Sequence, residues 1–471
     1  MFKIGLFGIG LETYWHQYNG LYERLCGYQT QINEKMSSFG CEIIDAGLVD
    51  NPLKAREVAE KLKKEDVSLI FLYVSTYALS STVLPVVQHT KVPVIVLNLQ
   101  PSKAIDYTWF NSLNDRTAMT GEWLANCQAC SVPEIANVFN RSQIQFFQIS
   151  GYLDDPLAWK EISEWIAASR VKDIMRINRM GFLGHFYCGM LDVYSDFTQQ
   201  SIFFGNHIQM LEMCELKALR DTVSEDEIIL KIAEIYKQFN VMSDCPADEI
   251  RRAAHTAIAL DKLVAKYNLG SMAYYYDGVA GNDYENIITS IIVGSSLLTA
   301  RHIPVAGEAD VKNVQAMKIL DAFGAGGSFT EFYLMDYEKD EILLGHDGPG
   351  HIVIAEGKPV LKPLREYHGK SGKGISVEMK VKNGKVTLLS VVQTFDGKLK
   401  LLVAEAESIQ GPILEIGNTN SRYKFPIGIR NFVNEWCKAG PAHHLAIGTG
   451  HIASKIHKLG ALLNIEVIQI S

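Results

Sequence analysis

Five side chains in this 471-residue sequence are of the types that hold a metal ion and move a proton: Glu308, Glu331, His346, His443 and His444. Mixed carboxylate and imidazole ligands suit divalent cations, and the same groups serve as general acids and bases. Glu331 and His346 lie in the segment from Gly324 to His346, a glycine turn followed by two runs rich in alternating or β-branched apolar residues. That pattern predicts a β-hairpin. A two-residue loop at Glu338 and Lys339 makes Tyr337 face Asp340 and Glu331 face His346. Directly opposed residues share a face of the sheet with Cβ atoms about 5 Å apart, so this register offers one carboxylate and one imidazole to a single ion. His351 requires a different register.

Glu308 follows Gly307 at the predicted start of a helix whose apolar spacing runs through Val314, Met317, Leu320 and Phe323. Asp310, in the first turn, is read as a complement to the helix dipole. The pair His443-His444 is placed on a loop between Pro441 and His451, ahead of a helix through Lys458 and a strand from Asn464 to Ile470. Adjacent side chains point different ways, so one imidazole is available to a metal and its neighbour to substrate or backbone.

The elements that must position these groups fall into three stretches. In the first, strands Lys3 to Gly8, Cys41 to Ala46, Val67 to Val74 and Val92 to Leu97 alternate with helices near Gln17 to Ser38 and Leu53 to Lys64. This is the pattern of an open parallel sheet wound with helices. Ligands in such sheets collect at the carboxyl ends of strands, which offer Glu12, Ser75, Thr76, Asn98 and Gln100; Glu12 and Gln100 are taken as candidate substrate contacts. Gly8-x-Gly10 lacks the third glycine of a dinucleotide fingerprint, which excludes that cofactor.

A second α/β stretch begins near Asp173, with a strand and glycine turn between Ile174 and Phe186 and His185 as a further candidate contact. Charged helical sequence follows from Ser224 to Tyr267. From Gly324 the pattern turns to β, with hairpin signals at Asn383-Gly384 and Asp396-Gly397. The expected architecture is two doubly wound, Rossmann-like parallel-sheet domains, 1–172 and 173–323. A β-rich, barrel-like C-terminal domain, 324–471, follows and carries most of the metal site.

A net charge of -8 argues against nucleic acid, whose phosphates call for clustered Lys and Arg. Apolar runs such as Val67 to Val74 are too short to span a bilayer. The opening Met1-Phe-Lys-Ile reads as a strand and not a cleavable signal, and the eight cysteines are scattered, so a reducing cytoplasm is expected. Cys127-x-x-Cys130 has metal or redox spacing, but no second such pair and no thioredoxin context accompany it. Both are read as packing or surface thiols.

The combination of motifs resembles the L-arabinose isomerases and, more loosely, the wider L-fucose isomerase-like sugar isomerases. Gly307-Glu308-Ala309-Asp310 is similar to the family's Gly-Glu-Gly-Asp, and Ser328-Phe329-Thr330-Glu331 to its Ser-Phe-Met-Glu. Glu338-Lys339 is similar to its hairpin turn and His443-His444 to its His-His segment. Gly181 to Asp192 resembles a segment of the fucose isomerase-like group. The resemblance implies that Glu308, Glu331, His346 and His444 hold a divalent cation, usually Mn2+, with Co2+ or Mg2+ as alternatives. It further implies that Glu308 and Glu331 share the base and acid roles as hydrogen moves between C1 and C2 of a free pentose or hexose, with His443 close to substrate. A homotrimer or homohexamer with sites at subunit borders is implied as well.

Departures leave the sugar open. The family's Gln-His-Leu-Tyr segment is not matched by Gly8 to Tyr14, its later His has no counterpart in Trp123 to Gln128, and Val311 stands where the family has Trp. Transfer through an enediol and a hydride shift would use the same residues. Two other readings share the cluster: a metal-dependent hydrolase or aldolase, and a sugar-binding relative without turnover.

Overall fold

Short apolar runs alternating with helices wind the first unit of the chain, Met1–Asp173, around one parallel sheet. The structure is a computed structural model and describes residues 2–277, 280–365 and 372–471. The sheet contains β1 (Lys3–Ile9), β2 (Glu42–Val49), β3 (Ile70–Val74), β4 (Val94–Gln100) and β5 (Phe146–Tyr152), in the order β2-β1-β3-β4-β5. Covered on both faces, such a sheet selects continuous apolar strands, and every residue of β3 is buried. The strand order reverses between β1 and β3, the place where open α/β sheets receive ligands.

Ser75 and Thr76, at the end of β3, do not face a ligand there. Both are fully buried, with Ser75 Oγ donating to Ile9 O at 2.5 Å and Thr76 Oγ1 to Leu124 O at 2.7 Å. The single helix expected from Gln17 to Ser38 is two, Thr13–Gln17 and Leu21–Ser37, divided at Gly20, whose φ of 78° suits a residue without a Cβ. Cys127 and Cys130 are not separate thiols: they are joined in a disulfide.

The second unit is Ile174–Ser471. The strand expected from Ile174 starts later, because the helix Pro156–Ile177 continues through that stretch with Ala168, Val171 and Met175 buried at helical spacing. Then come β6 (Arg179–Gly184), β7 (His207–Leu211), β8 (Asn240–Val241), β9 (Ser271–Tyr275) and β10 (Val305–Ala306). Four of them form a parallel sheet in the order β10-β9-β6-β7.

The β-rich region supplies β11 (Ser328–Asp336), β12 (Glu341–His346), β13 (Val360–Pro363), β14 (Ile375–Glu378), β15 (Gly384–Gln393), β16 (Leu399–Ile409), β17 (Thr419–Lys424), β18 (His444–Thr449) and β19 (Glu466–Ile470). Seven strands run β15-β18-β11-β12-β17-β16-β19, and β15 also pairs with β16, so six strands close into a barrel. On the other edge of β16, β19 pairs with Lys400 to Ala404 and β17 with Glu407 to Ile409. The Asp396-Gly397 turn joins β15 to β16 as expected. Asn383-Gly384 does not make a hairpin, because β14 belongs to a separate small sheet with β13 and β8 while β15 enters the barrel.

The helix Val311–Ala322 packs on β15 and β18 of the barrel and on β9 and β10 of the parallel sheet, and Val311 to Asp321 are all buried. It is therefore covered on every side, polar residues included.

The hairpin of β11 and β12 follows the expected register only in its outer half. Asp336 pairs with Glu341 and Leu334 with Leu343, but a β-bulge at Tyr333 then shifts the register, so Phe332 faces Leu344 and Glu331 faces Gly345 in place of His346. The loop is four residues, 337–340, with Asp336 Oδ1 accepting from Glu338 N and Lys339 N and Asp340 at φ 55°. Glu-Lys does not adopt the positive φ values that a two-residue loop demands. A Cβ on Gly345 would stand 2.4 Å from Thr419 O and 2.7 Å from the Tyr333 ring. Gly345→Ala is therefore expected to destabilise the protein by about 2 kcal/mol or more, read from urea unfolding; a loss below about 0.5 kcal/mol would show that the strands shift apart freely.

Candidate metal centre

Strand β11 lies between β18 and β12, so Glu331 has His444 directly across one edge and Gly345 across the other. His444 opens β18 and is not on a loop: the buried run Leu445-Ala446-Ile447 carries the strand back to His444 itself. His346 ends β12. Glu308 stands in the turn between β10 and the helix Val311–Ala322, where Glu308 and Ala309 both adopt φ 57°. Two consecutive left-handed residues with side chains store about 1 kcal/mol or more each. Ala309 N donates to Tyr274 O, and Asp310 caps the helix by accepting from Asn313 N, both at 2.9 Å.

These elements bring all five side chains together. Glu308 Oε2 is 3.1 Å from His444 Nε2 and 3.6 Å from His443 Nε2; Glu331 Oε2 is 3.9 Å from His443 Nε2. His346 Nε2 is 4.0 Å from Glu308 Oε1. Ligand atoms of Glu308, His443 and His444 lie within 4.8 Å of one another, as do those of Glu331, His346 and His444. The Phe329 ring backs both His346 and His444, with centroids 4.1 and 4.4 Å away.

A second tier of carboxylates orients the imidazoles. His444 Nδ1 is 3.0 Å from Asp310 Oδ2, with both side chains fully buried. His443 Nδ1 is 2.5 Å and its backbone N 2.9 Å from Asp192 Oδ2. Lys312 Nζ donates to Asp192 O at 2.6 Å and thereby fixes the loop that supplies this carboxylate. His346 Nδ1 accepts from Gly348 N at 2.9 Å and lies 3.4 Å from Asp347 Oδ1.

The arrangement fits a divalent first-row cation. Glu308 Oε2 and His444 Nε2 are buried, face each other and have no hydrogen-bond partner, and carboxylates behind ligating imidazoles are the usual outer shell of such sites.

The charges bear on one another strongly. Burial works against a charged Glu308, yet His443 and His444 hold its carboxyl well below the usual range. Burial pushes Glu331 up, more than His444 and His443 pull it down. Burial also opposes a charged His444, but Asp310 and Glu308 together hold its pKa up to about 9.

A cavity of about 520 Å³ opens onto Glu308 and His346. Tyr187, Tyr274, Tyr275 and Tyr276 line it, the rings of Tyr187 and Tyr275 lying 4.6 Å apart. Its other charged lining is Asp277, Glu285, Asp347 and Lys373. A second cavity of about 440 Å³ shares Asp347 and Leu364 with it.

Among the described residues, none of the other candidates belongs to either group that could hold a metal ion. Glu12 and Gln100 belong to the first unit, Glu12 exposed at the start of a short helix and Gln100 at the end of β4. His185 is held at both nitrogens, Nδ1 2.8 Å from Phe186 O and Nε2 accepting from Asp277 N at 3.3 Å, with its ring against Tyr275 and Tyr276. His351 is buried 4.0 Å from Asp321 and takes no part. Asp192, Asp347 and the tyrosine wall were not foreseen. Asp192 is 251 residues from His443, and no local pattern links them. Asp310 does cap its helix, but its second oxygen serves His444.

Asp310→Asn keeps the size of the side chain while removing the charge behind His444. It is expected to weaken metal affinity by about tenfold, measured by competition with a chelating dye; unchanged affinity would remove Asp310 from the centre. The His444 shift gives a second expectation. With its pKa raised to about 9, the metal-free ring is protonated at neutral pH and must lose that proton to ligate, so affinity should fall as pH drops below about 9. Calorimetry at pH 7.5 in buffers of different ionisation enthalpy should register proton release on metal addition, and none would contradict the assignment.

Residues 326–466 match the family model described as the L-arabinose isomerase C-terminal domain. No curated protein matches the chain. The matched segment contains Glu331, His346, His443 and His444, with Glu308 just ahead of it. The part of the chain that carries the imidazoles of the cluster is thus similar to the C-terminal domain of the L-arabinose isomerases.

Proposed function

We propose that this chain is a metal-dependent aldose-ketose isomerase acting on a free pentose or hexose, with L-arabinose to L-ribulose among the candidate conversions. The observation that carries the reading is the clustering of Glu308, Glu331 and three imidazoles, two of whose members, Glu308 and His346, line a tyrosine-walled cavity, in a chain whose residues 326–466 match an arabinose isomerase C-terminal domain. A divalent cation, Mn2+ first and Co2+ or Mg2+ next, held by Glu308, Glu331, His346 and His444, would polarise adjacent sugar oxygens.

The chain's own groups then move the hydrogen. One of Glu308 and Glu331 takes the proton from the carbon beside the carbonyl and the other handles the hydroxyl proton, so that the same atoms serve both directions through an enediol. His443, held at Nδ1 by Asp192, presents Nε2 to both carboxylates at 3.6 and 3.9 Å and is placed to pass a proton between them and a sugar hydroxyl. The tyrosine faces suit the C–H face of a sugar. Asp277, Glu285, Glu308 and Asp347 around the cavity disfavour a phosphorylated or carboxylated substrate.

A homotrimeric or homohexameric assembly and a cytoplasmic setting belong to the same reading and rest on the family. Among the described residues, no helix is long and apolar enough to cross a membrane.

The test is ketose formation from L-arabinose, D-galactose, L-fucose and D-arabinose by protein stripped with EDTA and resupplied with Mn2+, Co2+ or Mg2+. Metal-dependent ketose from one sugar is expected; no turnover on the panel despite metal binding would sink the substrate class. In the metal-saturated protein, Glu331→Gln should lower kcat by about a thousandfold and sugar affinity by less than tenfold or so. A protein that shows no turnover to lose, and whose Glu331→Gln variant keeps much of its sugar affinity, would instead fit a sugar-binding protein.

A further inference from the structure

The disulfide of Cys127 and Cys130 has two unlike ends. Cys127 is 3% exposed, whereas Cys130 is open to solvent. With only two residues between its ends, the bond closes a ring too short to remove much freedom from the unfolded chain, so structural stabilisation is a poor account of it. Cys127 precedes and Cys130 lies within the 3-10 turn Gln128–Ser131, which leads directly into the helix Val132–Arg141. Proximity to the positive end of a helix favours a thiolate, and with it exchange.

What the ring is fastened to gives it reach. Gln128, between the cysteines, is fully buried and donates through Nε2 to Ser75 O and Ala125 O, both at 2.9 Å. Leu124 O accepts from Thr76 Oγ1, and Ala78 N donates to Ser131 Oγ at 2.7 Å. Ser75 in turn reaches Ile9 O at the end of β1. The ring is therefore fastened to the end of β3, and through the Ser75 side chain that end is tied to the end of β1, where the strand order of this sheet reverses.

We propose that Cys127 and Cys130 form a reversible thiol–disulfide site that exchanges at Cys130 with a glutathione-type thiol couple and sets the conformation of the crevice between β1 and β3. A glutathione thiolate attacks Cys130 Sγ, the bond to Cys127 breaks, and Cys127 leaves as a thiolate that takes a proton from water. A second glutathione thiolate attacks the mixed disulfide, releasing the Cys130 thiolate and glutathione disulfide; two electrons have passed from two thiols to the protein. Oxidation runs the same steps backwards. The site lies in the first unit and owes nothing to the isomerase reading.

The experiment is differential alkylation with mass spectrometry on the full native chain, equilibrated with excess glutathione disulfide or excess reduced glutathione. Cys127 and Cys130 should be protected from alkylation in the first and modified in the second, reversibly. Hydrogen exchange over residues 124–131 and 75–78 should be faster in the reduced state. In Cys127→Ser, Cys130 should carry a glutathione adduct formed about tenfold or more faster than at the exposed Cys188, Cys214 and Cys437. A pair that stays reduced in excess glutathione disulfide, or stays oxidised in excess reduced glutathione, overturns the exchange, and these wild-type measurements decide it even if the variant does not fold. Identical hydrogen exchange in the two states overturns the coupling to the crevice.

Discussion

The contact between His444 and Asp310 is the constraint on which the centre rests. Both side chains are removed from water, and a buried charge without a partner is among the costliest defects that a fold can carry. Their 3.0 Å approach requires that the N-terminus of the helix Val311–Ala322 and the first residue of β18 occupy one spot. It thereby locks the parallel sheet, which ends in the turn before that helix, to the barrel, which contains β18. Glu308 and Ala309 must coil into left-handed conformations to bring the chain round, and the strain is held because the ends of the turn are both tied.

The buried helix extends the same logic. Surrounded by strands of both sheets, it has no solvent face, and its polar residues act as fasteners. Lys312 reaches the carbonyls of Asp192 and Tyr194, and Lys318 reaches that of His302. Burial pushes both lysines down, against the pull of Asp310 and Asp192 on Lys312 and of Asp321 on Lys318. By way of Lys312 the helix sets two orienting carboxylates at once, its own Asp310 and the loop's Asp192.

Much of this was legible in the sequence, and the parts that were not share a cause. Strands β1, β3 and β4 announced themselves as apolar runs because nearly all of their residues are buried, whereas the mostly half-exposed β5 did not; Glu308, Glu331, His346, His443 and His444 stood out by type and motif. Tertiary pairing was invisible. His443-His444 looked like a loop because Pro441 and the glycines after Ile447 dominate the local pattern, whereas pairing with β11 and β15 makes it the entry to a central strand. Asn383-Gly384 carried a hairpin signal, but the strands around it join different sheets. The CxxC pair looked inert because its local sequence says nothing of its end-on attachment to β3. Asp192 and Asp347 gave no sign, since a carboxylate acquires meaning only from what it faces.

The bulge at Tyr333 shows how the hairpin meets two demands that one register cannot. A shift by one residue turns every side chain of a strand to the opposite face. The outer half of the hairpin needs Asp336 opposite Glu341, where Asp336 closes the loop by accepting from Glu338 and Lys339. The inner half needs Glu331 beside His444 with room on its other edge. Placing the extra residue at Tyr333 leaves the outer pairs alone and puts Gly345, with no side chain, across from Glu331. The Tyr333 ring occupies the space a larger residue would need there. The carboxylate of Glu331 then has one cross-strand side chain to answer to, the imidazole of His444.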